Sequence, residues 1–468
     1  VTDVGRPVDL DLSRAWLVDP ASGREGPAEL VVRGGTLDAV TWLDGDAAAG
    51  VDAAGVIVAP GFIDLHAHLR EPGNDAAETI ASGLAAAAHG GFTTVCAMPN
   101  TEPAVDSAAA ISAAHATAQI SGSPVRLLVH GAVTAGRRGD HLAGLGELAD
   151  AGAAGFSDDG APVASAVLLR SALALAGALG LPVVEHAEDR SLSDGAEAGE
   201  GLVATVLGLR GAPVAAEAGA VARALAILAD VVGDVPGARL HLTHLSTAAA
   251  LELVRRAKSR GLPVTCDVTP HHLALSDEWL AGARRFAWDA LDDAGRRRDP
   301  WRDDALVAEP YDAATRVNPP LRAPEDAAAC LAALADGTAD AVATDHAPHA
   351  EVDKAVEFGS AANGISGIET AVGVLLAAVA AGRLPLRRAI EALTTGPARV
   401  LGRDDLPSPG FHEDQPADLV VIDRSTGWLV AADTLRSRGK NSPLLGRELP
   451  GRVLLTIAAG RLAYRAPD

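Results

Sequence analysis

One rhythm limits what this chain can fold into. From about Gly61, short apolar segments alternate with longer Ala- and Leu-rich segments at helical spacing. Phe92–Ala97 precedes Ser107–Gln119, Val125–Val129 precedes Leu142–Ala151, and Val167–Leu179 precedes Pro182–Glu185. Arg239–Leu242 is followed by Thr247–Arg260, then Val264–Val268 and Ala339–Ala343, with helices expected near Glu369–Ala381 and Leu386–Leu393. Strands apolar on both faces and separated by helices predict a parallel sheet buried on both sides. This many units favours a (β/α)8 barrel of the TIM type over an open doubly wound sheet, and no GxGxxG follows an early strand.

The ends differ from the middle. Ala28–Arg33, Thr36–Trp42 and Val56–Ala59 read as strands separated by turns, and β character returns at Ala417–Ile422, Arg452–Ala458 and Arg461–Tyr464. The expected organisation is therefore a barrel over 61–400, with 1–60 and 401–468 joining as a small β-sandwich. Trp279–Thr315 is rich in Arg and Asp and reads as a solvated insertion. It follows a strand end that opens on the barrel mouth, where it would serve as a partial lid or a partner surface.

Composition excludes several roles. The net charge of −22 comes from dispersed acidic residues, which argues against a broad nucleic-acid surface. No apolar run reaches the roughly 20 residues that cross a bilayer. The first residues carry Asp3, Arg6, Asp9 and Asp11 with no apolar signal core, and Cys96, Cys266 and Cys330 lie far apart without CxxC spacing. A cytoplasmic enzyme without disulfides is expected.

Polar residues recur where strands end. His66 and His68, two apart on a strand, point the same way into a barrel's C-terminal mouth. Asp158, Asp159, His186, His244 and Asp345 follow at later strand ends. Imidazole and carboxylate suit Zn²⁺, and six such groups exceed the needs of one ion, which points to two metals. Strand parity does not choose between Asp158 and Asp159. His241 has the opposite parity to His244 and is expected to face away, and His271 and His272 are expected to be structural or supporting rather than ligands.

These residues sit in motifs. His66-Ala-His-Leu-Arg-Glu-Pro-Gly73, Met98-Pro-Asn-Thr101, Phe156-Ser-Asp-Asp-Gly160, Glu185-His-Ala-Glu-Asp189 and Thr243-His-Leu-Ser-Thr247 run in order along the chain. Asp267-Val-Thr-Pro-His-His-Leu273, Asn318-Pro-Pro-Leu-Arg322, Thr344-Asp-His-Ala-Pro-His349, Gly364-Ile-Ser-Gly-Ile-Glu-Thr370 and Lys440-Asn-Ser-Pro continue the series. Together they resemble the type I dihydroorotases of the amidohydrolase superfamily.

The resemblance implies His66, His68 and Asp345 on one zinc, His186 and His244 on a second, and a bridging aspartate. The family's spacing to the next histidine favours Asp159 as that bridge. Many relatives, hydantoinases among them, use a carboxylated lysine instead. The only lysines here are Lys258, Lys354 and Lys440, none between the HxH strand and His186. The resemblance further assigns Arg70, Asn100, Asn318 and His349 to the substrate together with His68, and backbone contacts to Asn363 and Gly364. Asp345 would be general base and then general acid. The implied reaction is the reversible cyclisation of N-carbamoyl-L-aspartate to (S)-dihydroorotate in pyrimidine biosynthesis, by a homodimer or an assembly with aspartate transcarbamoylase. A hydantoinase- or allantoinase-like amidohydrolase and an inactive scaffold subunit are the rival readings. Arg70, a fork suited to a carboxylate, and the full ligand set favour the first.

Overall fold

The computed structural model of the chain describes residues 4–48, 55–302, 305–403, 406–407 and 409–467. Its strands, in chain order, are β1 (Leu10–Asp19), β2 (Arg24–Arg33), β3 (Thr36–Trp42), β4 (Val56–Pro60), β5 (Phe62–Ala67), β6 (Phe92–Ala97), β7 (Arg126–Val129) and β8 (Val183–Glu185). There follow the two-residue β9 (Ala198–Gly199) and β10 (Gly211–Ala212), then β11 (Leu240–Leu242), β12 (Val264–Val268), β13 (Ala341–Val342), β14 (Leu419–Leu429), β15 (Glu448–Ala458) and β16 (Arg461–Arg465).

Both ends of the chain share one seven-stranded mixed sheet in the order β16-β15-β14-β4-β1-β2-β3. Its pairs are antiparallel except β1 with β4. Leu17, Leu30, Val58, Leu419, Leu455 and Ile457, drawn from both halves, pack into one apolar cluster. The middle of the chain is α/β: β5-β6-β7 form one parallel sheet and β13-β12-β11-β8 another. Every residue of β5 and β6 is buried, as the continuous apolar runs require when helices cover both faces. Isolated parallel bridges extend the ladders from Gly131 to Phe156 and on to Val183, and from Ala67 to His346 and on to Ile365.

Two elements add to the sequence pattern. β1 carries charged residues on its open face, which hides its alternation. The 21-residue helix Val214–Asp234 buries Ala216, Ala220, Val221, Ala224, Leu225, Leu228 and Val231, a stripe at helical period. On the same stripe, Glu217 accepts the backbone N–H groups of Ser246 and Thr247, so the next helix, Ala248–Ser259, is anchored at its start.

The Trp279–Thr315 segment is not simply a solvated insertion. Trp279, Leu280, Phe286 and Trp288 are buried, and so are the adjoining acids Asp277 and Glu278. Arg297 reaches Asp277 at 2.7 Å and Glu278 at 3.0 Å, while Arg285 holds the other Glu278 oxygen at 3.1 Å. The arginines that look like solvated surface are counterions to a buried acidic pair. The Tyr311 hydroxyl donates to the Leu207 carbonyl, so the segment braces the excursion that follows β8. Asp303 and Asp304 lie outside the described residues. Among the described residues no helix is long and apolar enough to cross a membrane.

Candidate metal centre and active site

The strand-end residues converge. His66 lies on β5, His186 directly follows β8, His244 lies two residues past β11, and Asp345 lies three past β13. Two buried trios, His66–Asp159–His244 and His66–His68–Asp345, each hold their ligand atoms within 4.8 Å of one another. Asp159 divides its carboxylate between them. Its Oδ2 is 3.2 Å from His66 Nε2 and 3.5 Å from His68 Nε2, and its Oδ1 is 3.3 Å from His244 Nε2 and 3.6 Å from His186 Nδ1. Asp345 Oδ1 faces His68 Nε2 at 3.0 Å and His66 Nε2 at 3.5 Å. His186 belongs to neither trio, although its Nδ1 is 2.9 Å from His244 Nε2.

Asp158 points elsewhere. Its two oxygens accept the Thr134 backbone N–H, at 3.0 Å, and the Thr134 hydroxyl. Arg137 donates to the backbone carbonyls of both aspartates, fixing the turn that carries them.

Partners behind the imidazoles decide which nitrogens can bind a cation. Thr243 Oγ1 donates to Asp267 at 3.1 Å, since a carboxylate only accepts, so the same oxygen receives the His66 Nδ1–H at 2.8 Å. His68 Nδ1 donates to Asn100 Oδ1 at 2.9 Å, and His186 Nε2 to Glu188 Oε2 at 3.2 Å. Three rings therefore turn a nitrogen lone pair toward the same small volume, between two carboxylates. Burial opposes charge on these groups, yet Asp159 and Asp345 together raise His66 to about 9. Burial also opposes charge on His186, which Asp159 and Glu188 raise to about 10. Against its own burial, Asp159 is held well below the usual carboxylate range by His66, His186 and His244. The pocket draws positive charge onto lone pairs already aimed at its centre, which is what divalent metal ions require. The donor set fits a two-metal site.

The other expected residues ring this cluster. Arg70 donates through Nε to the Pro348 carbonyl at 3.1 Å, and its Nη2 is 3.3 Å from His349 Nε2, which in turn lies 2.8 Å from the Asn363 carbonyl. Burial and Arg70 push His349 down to about 3, so its ring is neutral. Asn100 supports His68, and Asn318 hydrogen-bonds Glu188. Asn363 is exposed and its amide oxygen accepts from Arg316 at 3.1 Å. Gly364, at φ 149°, has no room for a side chain, because a Cβ would lie 2.6 Å from the Ala347 carbonyl and 2.9 Å from His349 Nε2. A pocket of about 250 Å³ opens beside Glu188, Asn318 and Asn363.

A Dihydro-orotase-like family model matches residues 55–250. The dihydroorotase of Anaeromyxobacter dehalogenans is 46% identical over 451 residues, 96% of each chain. The chain belongs to the dihydroorotase family. The dihydroorotase of Pelotomaculum thermopropionicum is 42% identical over 96% of this chain and 97% of its own. Among solved structures, the L-hydantoinase (dihydropyrimidinase) of Arthrobacter aurescens superposes with a TM-score of 0.77 at 25% identity, covering 97% of this chain and 95% of its own. A D-hydantoinase (dihydropyrimidinase) from Thermus sp. gives 0.70 at 24% over 96% and 94%, a likeness of fold.

No lysine reaches the metal cluster of this dihydroorotase-family chain. Lys258 pairs with Asp340 at 2.5 Å, Lys354 donates to three carbonyls, and Lys440 donates to the carbonyls of Leu435 and Ser437. His241, expected to face away from the site, lies instead on the side of Thr243. It bonds Thr265 and Asp267 on β12, and Asp267 also accepts from the Thr243 hydroxyl that holds His66. His272 bonds Thr269 and the Pro319 carbonyl. His271 is in neither metal trio, and its Nε2 is buried without a hydrogen-bond partner.

Several supporting residues lie outside the sequence reading. Thr243, Asp267 and Glu188 stand inside the motifs, but that they fix the imidazoles shows only in the fold. Asn441, in the Lys440-Asn-Ser-Pro motif, is the clearest case. Its Oδ1 accepts the His349 N–H and the Ser366 hydroxyl at 2.9 Å, and its Nδ2 donates to the Ala347 and Gly364 carbonyls at 3.0 and 2.9 Å. All four hydrogen-bonding capacities of the amide are used.

Proposed function

We infer that this chain is a dihydroorotase, a cyclic-amide hydrolase that interconverts (S)-dihydroorotate and N-carbamoyl-L-aspartate with two zinc ions. The observation that carries the reading is Asp159, whose two oxygens each face a different pair of imidazoles. His66, His68 and Asp345 would hold one ion, His186 and His244 the other, and Asp159 both. Zinc at such a site lowers the pKa of water toward neutrality and polarises a carbonyl.

The chain's own groups do the rest. Arg70, beside His349 and close to Asp345, presents a guanidinium to the substrate carboxylate, with Asn100, Asn318 and the backbone at Asn363 and Gly364 framing the ring. His349 donates its Nε2–H to the Asn363 carbonyl, which fixes the ring beside Arg70, and the Pro348 carbonyl, accepting from Arg70 Nε, positions the fork. Asp345 is held ionised, and it accepts the proton of the attacking water and returns it to the departing ring nitrogen. Ring closure runs the same steps in reverse.

The parallel bridges at Phe156 and His346 support a (β/α)8 barrel over residues 61–400. The shared cluster of the seven-stranded sheet supports a β-sandwich built from 1–60 and 401–468.

Assay of the purified protein on dihydroorotate, hydantoin and allantoin tests the substrate. Turnover of dihydroorotate at least about 100-fold faster than of hydantoin is expected, since a carboxylate-binding arginine left unpaired costs a competing substrate several kcal/mol. Preference for hydantoin or allantoin would overturn the assignment.

A further inference from the structure

Lys354 ends the short helix Glu351–Lys354, nine residues past Asp345. Its ammonium meets no carboxylate at ion-pair distance among the described residues. Its Nζ instead donates to the carbonyls of Ala313 at 2.9 Å, Arg316 at 3.1 Å and Ala362 at 2.7 Å. Three N–H donors meet three backbone oxygens, which uses the full capacity of the group. Those oxygens come from two separate segments. Ala313 and Arg316 lead directly into Asn318, and Ala362 directly precedes Asn363 and Gly364.

The same two segments touch each other beside this contact. The Gly364 N–H donates to the Arg316 carbonyl at 2.9 Å, the Arg316 Nε to Asn363 Oδ1 at 3.1 Å, and the Arg316 Nη1 to the Phe358 carbonyl at 2.8 Å. The Ala362 N–H returns to the Asp353 carbonyl beside Lys354 at 3.0 Å. The lysine is thus the hub of a small backbone network beside the pocket lined by Arg316, Asn318 and Asn363.

We propose that Lys354 is a positioning residue for substrate: its ammonium ties the segment bearing Asn318 to the segment bearing Asn363 and Gly364, and so sets the width of the substrate site. The assignment rests on the dihydroorotase reading for the roles of those segments. A salt bridge at this point would join one side chain to another. An ammonium shared among carbonyls fixes two main chains instead, and substrate contacts made through the backbone depend on where those chains lie. Burial pulls the Lys354 ammonium down to about 7, with Arg316 adding to this and Asp312 opposing it. Asp312 itself is engaged by Arg284 at 2.9 Å, which leaves the carbonyls as the direct partners of the charge.

The test compares Lys354→Met, which keeps the stem and loses every N–H, with Lys354→Arg, which keeps charge and donors. Lys258→Met, whose lysine pairs with Asp340 far from the mouth, is the control. Lys354→Met is expected to raise KM for dihydroorotate about tenfold or more, with kcat within about twofold and an unchanged metal content, the pattern of lost ground-state binding. Lys354→Arg should recover part of that loss, and Lys258→Met should leave KM unchanged. Amide hydrogen exchange at Ala362–Gly364 and Arg316–Val317 should quicken in Lys354→Met. An unchanged KM with unchanged exchange would overturn the proposal, and so would a KM change equalled by Lys258→Met. If Lys354→Met does not fold, Lys354→Gln, which is shorter and keeps only two N–H donors, decides: raised KM with quickened exchange supports the tie, and wild-type values for both refute it. Absence of dihydroorotate turnover by the wild type would instead count against the substrate assignment, while the exchange measurement would still report on the tie.

Discussion

Exchanging the two neighbouring aspartates for asparagine, one at a time, separates a ligand from a brace. In Asp158→Asn the amide oxygen can still accept the Thr134 N–H, and the Thr134 hydroxyl can turn round to accept from the new NH2 group. Both charge-assisted hydrogen bonds become neutral ones, a loss of about 2 kcal/mol. In a chain of this size that lowers Tm by about 2 °C and leaves metal content and kcat near wild type. Asp159→Asn is different in kind. One carboxylate oxygen faces His66 and His68 and the other His244 and His186, all within 3.6 Å. A carboxamide supplies one acceptor, and its NH2 group turns two protons toward one pair of lone pairs. It also removes the negative charge between two cation positions. Metal content should fall below two per chain and kcat about 1000-fold or more, equivalent to roughly 4 kcal/mol of transition-state stabilisation. Elemental analysis, steady-state kinetics and thermal melts of both variants make the comparison. Near-complete metal loading and activity in Asp159→Asn, or their collapse in Asp158→Asn, would refute the bridging assignment.

Three further outcomes follow from the same geometry. Arg70→Lys keeps a positive charge but loses the planar fork, so KM for dihydroorotate should rise about tenfold or more with metal content unchanged; an unchanged KM would remove Arg70 from the substrate site. Chelation should abolish activity and lower Tm, with Zn²⁺ restoring both; full activity after exhaustive removal of metal would exclude the two-metal reading. Arg297→Met should destabilise the fold by about 3 kcal/mol near pH 8, because it strands the buried Asp277 carboxylate and leaves Glu278 with Arg285 alone. Burial and Glu278 push Asp277 up to about 7 against the pull of Arg297. An acid whose folded pKa lies above its unfolded value makes stability fall as pH rises between about 4 and 7. Without Arg297 that fall is steeper, so the melting deficit against wild type should be larger at pH 8 than at pH 5; an equal deficit at both would contradict it.

Much of the site was legible in the sequence because strand geometry carries it. His66 and His68 share a face by parity, whereas His241 stays out of both trios because Thr265 and Asp267 engage its two ring nitrogens. What stayed hidden depends on contacts across the fold. Asp158 and Asp159 sit where the chain turns, and only Thr134, 24 residues earlier, separates their roles. His186 meets the cluster through Nδ1 because Glu188 takes its Nε2, a choice no spacing encodes. The Arg- and Asp-rich stretch reads as solvated because its charges are counted, whereas Arg297 pairs with acids 19 and 20 residues away. Lys354 binds carbonyls, which every residue possesses and no sequence letter marks.

The cluster also explains a backbone peculiarity. Arg70, His244 and Asp345 all have positive φ, at 62°, 43° and 45°, a region that costs a non-glycine residue about 1 kcal/mol or more. Two buried carboxylates outside both trios hold two of these turns. Asp267 accepts the His244 N–H at 2.6 Å and fixes Thr243 and His241 as well. Asp64 accepts the N–H groups of His66, at 3.2 Å, and of Thr344, at 2.9 Å, joining β5 to the turn that carries Asp345. Strands that simply ended in straight extension would send successive side chains to opposite faces and carry these groups past one another. The left-handed turns swing His244 and Asp345 back over the strand ends, and Asp267 and Asp64 fix that geometry through the backbone. Relaxing that strain at Asp345 or His244 would ease the backbone while turning the side chain out of its buried trio.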